Sequence, residues 1–247
     1  TWTQSPTSGY NYDIDKLSSL INGKTKLIVL NDPANPTGKI MEKSTIESIA
    51  ELAIENDLWV LTDEIYSQLY FDGVVPYSIL SVPSMKDRTI LLDGFSKTYA
   101  MTGWRLGYGI YPQRLIEPVC SLMLNNHSCI PEFIQDAGTA ALNGPQHFVE
   151  QLRAELSNRR MLVCETIKKT RNLSCHTPSG ALYVMIDISK THSPEATNFT
   201  EGLLSSGVSL LPGTMISENC VSQVRLAYTA AKPTLSTALQ RIESFVN

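Results

Sequence analysis

Lys26-Leu27-Ile28-Val29-Leu30-Asn31-Asp32-Pro33-Ala34-Asn35-Pro36-Thr37-Gly38 begins as a β-rich apolar run, Lys26 to Leu30, and ends in a polar, Pro-rich stretch. The run has the composition of a buried strand. A helix should follow, because Ser44-Thr45-Ile46-Glu47 has the spacing of a capping box and Ile46, Ile49, Ala50 and Ala53 fall on one helical face. The pattern then repeats. Leu58 to Thr62 is a second apolar run, ending at Asp63-Glu64-Ile65-Tyr66; Arg88 to Leu92 is a third, ending at Asp93-Gly94-Phe95-Ser96-Lys97. Apolar runs alternating with helical patterns predict an α/β domain with a largely parallel sheet. In such sheets ligands bind beyond the carboxyl ends of the strands, so Asn35, Asp63 and Lys97 are expected to converge on one crevice.

Beyond Pro112 the pattern turns helical, over Gln113 to Leu124 and Glu132 to Leu142, before the Asn143-Gly144-Pro145 break. A long amphipathic helix is expected from His147 to about Thr170. After Pro178-Ser179-Gly180 the chain reads as a strand (Leu182 to Ile188), a helix (about Glu195 to Ser206), two strands (Val208 to Leu211 and Val221 to Ala227) and a closing helix from Pro233 to Val246. This predicts an α+β unit. The expected domains are 1–146 and 147–247.

Composition narrows the function classes. The 247 residues are 43% hydrophobic, which is enough for a sizeable core, and 20 basic against 24 acidic residues give a net charge of −4. That balance does not favour a nucleic-acid surface of the usual basic kind. Every apolar stretch falls short of the roughly 18 residues of a membrane-spanning helix, so a soluble chain is expected. Five cysteines without a C-x-x-C pair and four scattered histidines predict a reducing, cytoplasmic setting and no metal site.

Lys97 is the sharpest chemical feature. A lysine in a small-residue turn after a buried strand can be desolvated, which frees its amine to form a Schiff base with a carbonyl cofactor. The string around it, Gly94-Phe95-Ser96-Lys97-Thr98-Tyr99-Ala100-Met101-Thr102-Gly103-Trp104-Arg105-Leu106-Gly107, resembles the pyridoxal-phosphate attachment signature of the class I/II aminotransferases. The likeness includes the arginine eight residues after the lysine. It extends in order along nearly the whole chain: Asn35-Pro36-Thr37-Gly38 resembles the family's cofactor-contacting turn, Asp63 with Tyr66 its Asp-x-x-Tyr, and Arg225 in Val224-Arg225-Leu226 its C-terminal substrate arginine.

The resemblance implies an aspartate aminotransferase-like α/β fold (pyridoxal-phosphate fold type I), with a partial large domain of mostly parallel sheet and a C-terminal α+β small domain. It implies that Lys97 carries pyridoxal 5'-phosphate as a Schiff base and that Ser96 and Arg105 bind its phosphate. Tyr66 and Asn35 would hydrogen-bond the ring oxygen, Asp63 would hold the proton on the ring nitrogen, and Asn35 with Arg225 would grip the substrate carboxylate. The implied reaction moves an amino group from an L-amino acid to a 2-oxo acid, 2-oxoglutarate being the expected acceptor, in a homodimer whose Asn125 to Pro131 loop lies near the neighbouring active site. A lyase or synthase of the same fold uses the same lysine, and an aminotransferase-like sensor domain of a transcription regulator keeps the same likeness. Two departures stand out. Gly94 occupies a position where many members have serine, and the family's N-terminal portion, with its Gly-rich phosphate loop and ring-stacking aromatic, has no counterpart here, so an N-terminally truncated chain is expected. Gly107-Tyr108-Gly109 lacks the third glycine of a dinucleotide fingerprint and reads as strand packing.

Overall fold

The computed structural model describes residues 2–247, which fall into two compact units. The first comprises the chain through Pro33 together with Ile40–Glu150; the second comprises Ala34–Lys39 with Gln151–Asn247. This differs from a single cut at residue 146. The Asn35 turn is grouped with the second unit, and the later division falls inside one continuous helix, His147–Lys169.

In the first unit, β1 (Leu27–Asn31), β2 (Trp59–Asp63), β3 (Thr89–Gly94) and β4 (Gly107–Ile110) form a sheet in that order, the first three parallel and β4 antiparallel to β3. Helix α1 (Ile14–Leu20) starts at Asp13, whose carboxylate accepts the Lys16 N–H at 2.9 Å. Helix α2 (Lys43–Glu55) connects β1 to β2. Its residues Ile46, Ile49, Ala50 and Ala53 are buried with Leu17, Ile28, Leu30 and Val60 in one apolar cluster. Each fully buried isoleucine contributes about 1.5–3 kcal/mol relative to exposure. The helix begins one residue before the expected capping box: Glu42 is the cap residue and makes no side-chain cap hydrogen bond. Ser44 is therefore already inside the first turn.

Lys26 to Leu30 reads as a buried strand, and β1 is buried on one face only. Ile28 and Leu30 are in the core, whereas Leu27 and Val29 are 42% and 64% exposed. Short helix α3 (Phe95–Thr98) follows β3 directly, and α4 (Gln113–His127) and α5 (Glu132–Asn143) follow β4. Helix α4 extends past the expected end at Leu124, so only Ser128 to Pro131 separate it from α5.

The second unit contains most of α6 (His147–Lys169) and an antiparallel sheet ordered β5 (Ser174–Cys175), β6 (Tyr183–Asp187), β8 (Gln223–Ala227) and β7 (Leu211–Pro212). Strand β7 is shorter than the expected Val208 to Leu211 run, pairing only through Leu211 and Pro212. Helix α7 (Ala196–Leu204) lies against β7 and β8. Helix α8 (Lys232–Val246) buries Leu235, Leu239, Ile242 and Val246, a seam at helical spacing. Among the described residues no helix is long and apolar enough to cross a membrane.

Candidate active site

Because β2 and β3 run parallel, with Asp63 opposite Leu92, the turns that follow them leave the same end of the sheet. Asp63 closes β2, and its Oδ1 accepts the Ile65 N–H at 3.1 Å, bending the chain into a turn. The Glu64 N–H donates to the Leu92 carbonyl at 2.9 Å and ties that turn to β3. Tyr66 follows, 4% exposed. From the β3 side, α3 presents Ser96 and Lys97, both half-buried, and the Lys97 Nζ lies 5.9 Å from the centre of the Tyr66 ring. The backbones come close at the junction: a Cβ at Gly94 would sit 3.0 Å from the Gly107 Cα and 3.1 Å from the Leu106 carbonyl oxygen where the chain enters β4. Arg105 is exposed and left-handed (φ 54°), with its Nη1 donating to the Thr102 carbonyl at 3.0 Å.

Asp93, to which the sequence assigned no role, ties the two turns together. Its Oδ1 accepts the Gly94 N–H at 2.6 Å, and its Oδ2 accepts the hydroxyls of Tyr108 at 3.2 Å and Ser67 at 3.4 Å. Tyr108 stands directly across from Asp93 in the β3–β4 register, so the signal that could have found this pair was the antiparallel pairing of β4. Burial raises the Asp93 pKa above the ordinary carboxylate value, opposed by these hydrogen bonds and reinforced by the negative charge of Asp63. Burial likewise raises Glu64, whose Oε1 accepts from Ser78 at 2.8 Å and Thr62 at 3.3 Å. Glu64, Asp32 and Ser67 line a small polar cavity of about 160 Å³ behind the turn.

In the second unit, the Asn35 Oδ1 accepts a hydrogen bond from Arg225 Nη1 at 2.7 Å. The Arg225 guanidinium also lies 4.3 Å from the centre of the Tyr183 ring, near enough for cation–π attraction. Strand β8 positions this arginine opposite Met185 of β6 and Leu211 of β7. Gly38 completes the turn at φ 65°, and its carbonyl accepts the N–H groups of Ser179 at 2.9 Å and Gly180 at 2.8 Å. A Cβ at Gly38 would lie 2.7 Å from the Gly180 carbonyl oxygen. Only glycine meets both demands.

Of the seven residues the sequence singles out, Asp63, Tyr66, Ser96, Lys97 and Arg105 belong to the first unit, with Tyr66 and Lys97 in contact range. Asn35 and Arg225 belong to the second and are directly bonded. Residues 2–242 match the family model for aminotransferase class I and II. The chain belongs to the class I and II aminotransferases. It is 36% identical over 237 residues to an aspartate aminotransferase of Pyrococcus abyssi, covering 95% of this chain and 60% of that protein. It is 37% identical to an arginine–pyruvate transaminase of Pseudomonas aeruginosa, with the same two coverages. Among solved structures, an aromatic aminotransferase from Pyrococcus horikoshii superposes with a TM-score of 0.94 at 34% identity, covering 98% of this chain and 65% of that one. The Thermus thermophilus aspartate aminotransferase solved with maleate gives 0.92 at 33% identity, covering 98% and 62%. This aminotransferase chain thus has the aspartate aminotransferase-like α/β fold, and it spans about 60% of the length of the curated relatives it matches.

Proposed function

We propose that the full-length protein is a pyridoxal-phosphate-dependent aminotransferase that moves an amino group from an L-amino acid to a 2-oxo acid, 2-oxoglutarate being the first acceptor to test. The observation that carries this reading is the Lys97 amine on a short helix at the end of a parallel strand, beside the buried Tyr66 ring, in a chain of this family. The donor set suits the cofactor's four handles: an amine (Lys97) for its aldehyde, a carboxylate (Asp63) for its pyridine nitrogen, a phenol (Tyr66) for its ring oxygen, and a hydroxyl with a guanidinium (Ser96, Arg105) for its phosphate. When bound, pyridoxal phosphate supplies the carbonyl that takes up the amine and a ring that withdraws electrons from the substrate Cα.

The chain's own residues do the rest. Lys97 anchors the cofactor and, once displaced, its free amine carries the proton on and off the substrate Cα. Asp63 holds the proton at the pyridine nitrogen by its negative charge. Arg225, steadied by Asn35 and Tyr183, offers a planar fork of donors to the α-carboxylate. The working form in this reading is a cytoplasmic homodimer. Leu122, Leu124 and Phe133, all more than 60% exposed around the α4–α5 junction, support a surface that a second subunit covers.

The test is amino transfer by the full-length protein, followed with Asp63→Asn in parallel. The variant should retain cofactor and lose at least ~100-fold in the half-reaction, since an amide cannot hold the ring proton by charge. An amino acid consumed with release of a leaving group instead of oxo-acid formation would overturn the transaminase reading.

A further inference from the structure

Away from the residues described so far, one face of α6 carries Arg160, Cys164 and Lys168 at successive four-residue steps, so the three side chains line up along the helix. That face lies along the segment leading out of β5. The buried Arg160 donates through Nη1 to the Pro178 carbonyl at 2.6 Å, and Lys168 Nζ donates to the Thr177 hydroxyl at 2.6 Å. Between these two anchors Cys164, 2% exposed, faces Cys175, half-buried on the short strand β5, within side-chain hydrogen-bonding reach. That contact, with the positive charge of Lys168, lowers the Cys175 thiol below the ordinary cysteine value despite its partial burial. The same contact, with burial, pushes Cys164 up. The pair is therefore asymmetric: the more exposed Cys175 is the readier to ionise, and the buried Cys164 behind it the more reluctant.

We propose that Cys175 and Cys164 form an oxidant-reactive dithiol, a modification site for hydroperoxides that closes to an intramolecular disulfide. In the first step the Cys175 thiolate attacks the peroxide: an S–O bond forms, the O–O bond breaks, the sulfur is oxidised by two electrons to a sulfenic acid, and the peroxide leaves as alkoxide or hydroxide and takes up a proton. In the second, Cys164 loses its proton and attacks the Cys175 sulfur; the S–S bond forms, the S–O bond breaks, and hydroxide leaves with that proton as water. The product ties α6 covalently to the edge strand β5. Reduction by an external dithiol restores both cysteines.

Hydrogen peroxide added to the reduced full-length protein, with peptide mapping under non-reducing conditions, tests this. A Cys164–Cys175 linked peptide should appear first, about 10-fold or more ahead of any product at the exposed Cys120 and Cys129, and dithiothreitol should remove it. In Cys164→Ser, dimedone should trap a sulfenic acid on Cys175; in Cys175→Ser, Cys164 should stay reduced. Oxidation of Cys120 or Cys129 at least as fast as Cys175, or failure of the wild-type protein to give the linked peptide, would overturn the proposal.

Discussion

Arg225 shows how a single side chain is prepared for its proposed task. One guanidinium nitrogen is occupied by Asn35 at 2.7 Å and its Cζ lies 4.3 Å from the centre of the Tyr183 ring, so its rotamer freedom is already restricted before any carboxylate arrives. Lysine keeps the charge but not the planar fork of donors. Arg225→Lys should therefore weaken binding of amino acids and oxo acids alike, by roughly 10- to 100-fold in Kd measured by titration of the full-length protein. Unchanged affinity for both would remove Arg225 from the carboxylate site. At this scale the sequence was most informative about strand ends: Asp63 closes β2 and Arg225 lies in β8, while Lys97 follows β3 on the short helix α3 and not in a turn. Asp93 was not legible, because its meaning depends on Tyr108 and Ser67, which lie 15 and 26 residues away and meet it only through strand pairing and the Asp63–Tyr66 turn.

Among the elements, the turn after β1 holds a buried charge. The Asp32 Oδ1 accepts the Met41 N–H at 2.8 Å, which favours the ionised form, but burial outweighs it and the negative charge of Glu64 adds to the shift, raising the pKa from 3.8 to about 7. Tyr12 also faces Asp32, and its own hydroxyl is pushed up by burial and by that carboxylate. The sign follows from proton counting. Between the two values the folded chain keeps a proton that the unfolded chain releases, so this contribution to stability is full below about pH 4 and is lost as pH rises through about 7. Asp32→Asn retains an acceptor for Met41 and cannot ionise. Denaturant unfolding at ~pH 5 and ~pH 8 should show a smaller loss of stability in the variant than in the parent. Equal losses would mean that Asp32 does not titrate in that window. Most elements were legible from apolar periodicity, with shifts of one to three residues at most ends, but the sequence assigned no element to α1, α3 or β5. The exception in kind was the α2 start, where Ser44 and Glu47 have capping-box spacing although the preceding chain enters the helix at Lys43.

At the scale of the molecule, the first unit's sheet has β1 and β4 at its two edges, and the outward face of β1 exposes Leu27 and Val29. Sequence alone read β1 as a buried strand, since composition reports apolarity and not which covering layers are present. Open edges and exposed apolar side chains promote association. The 247 residues expressed alone are accordingly expected to self-associate with rising concentration in size-exclusion chromatography with light scattering; a single concentration-independent monomer would contradict this. The central claim, however, concerns one amine. Borohydride reduction of the full-length protein loaded with pyridoxal phosphate, followed by peptide mapping, tests it most directly: the account predicts the pyridoxyl label on Lys97 and its loss in Lys97→Ala, whereas a label on another lysine, or no label at all, would contradict it.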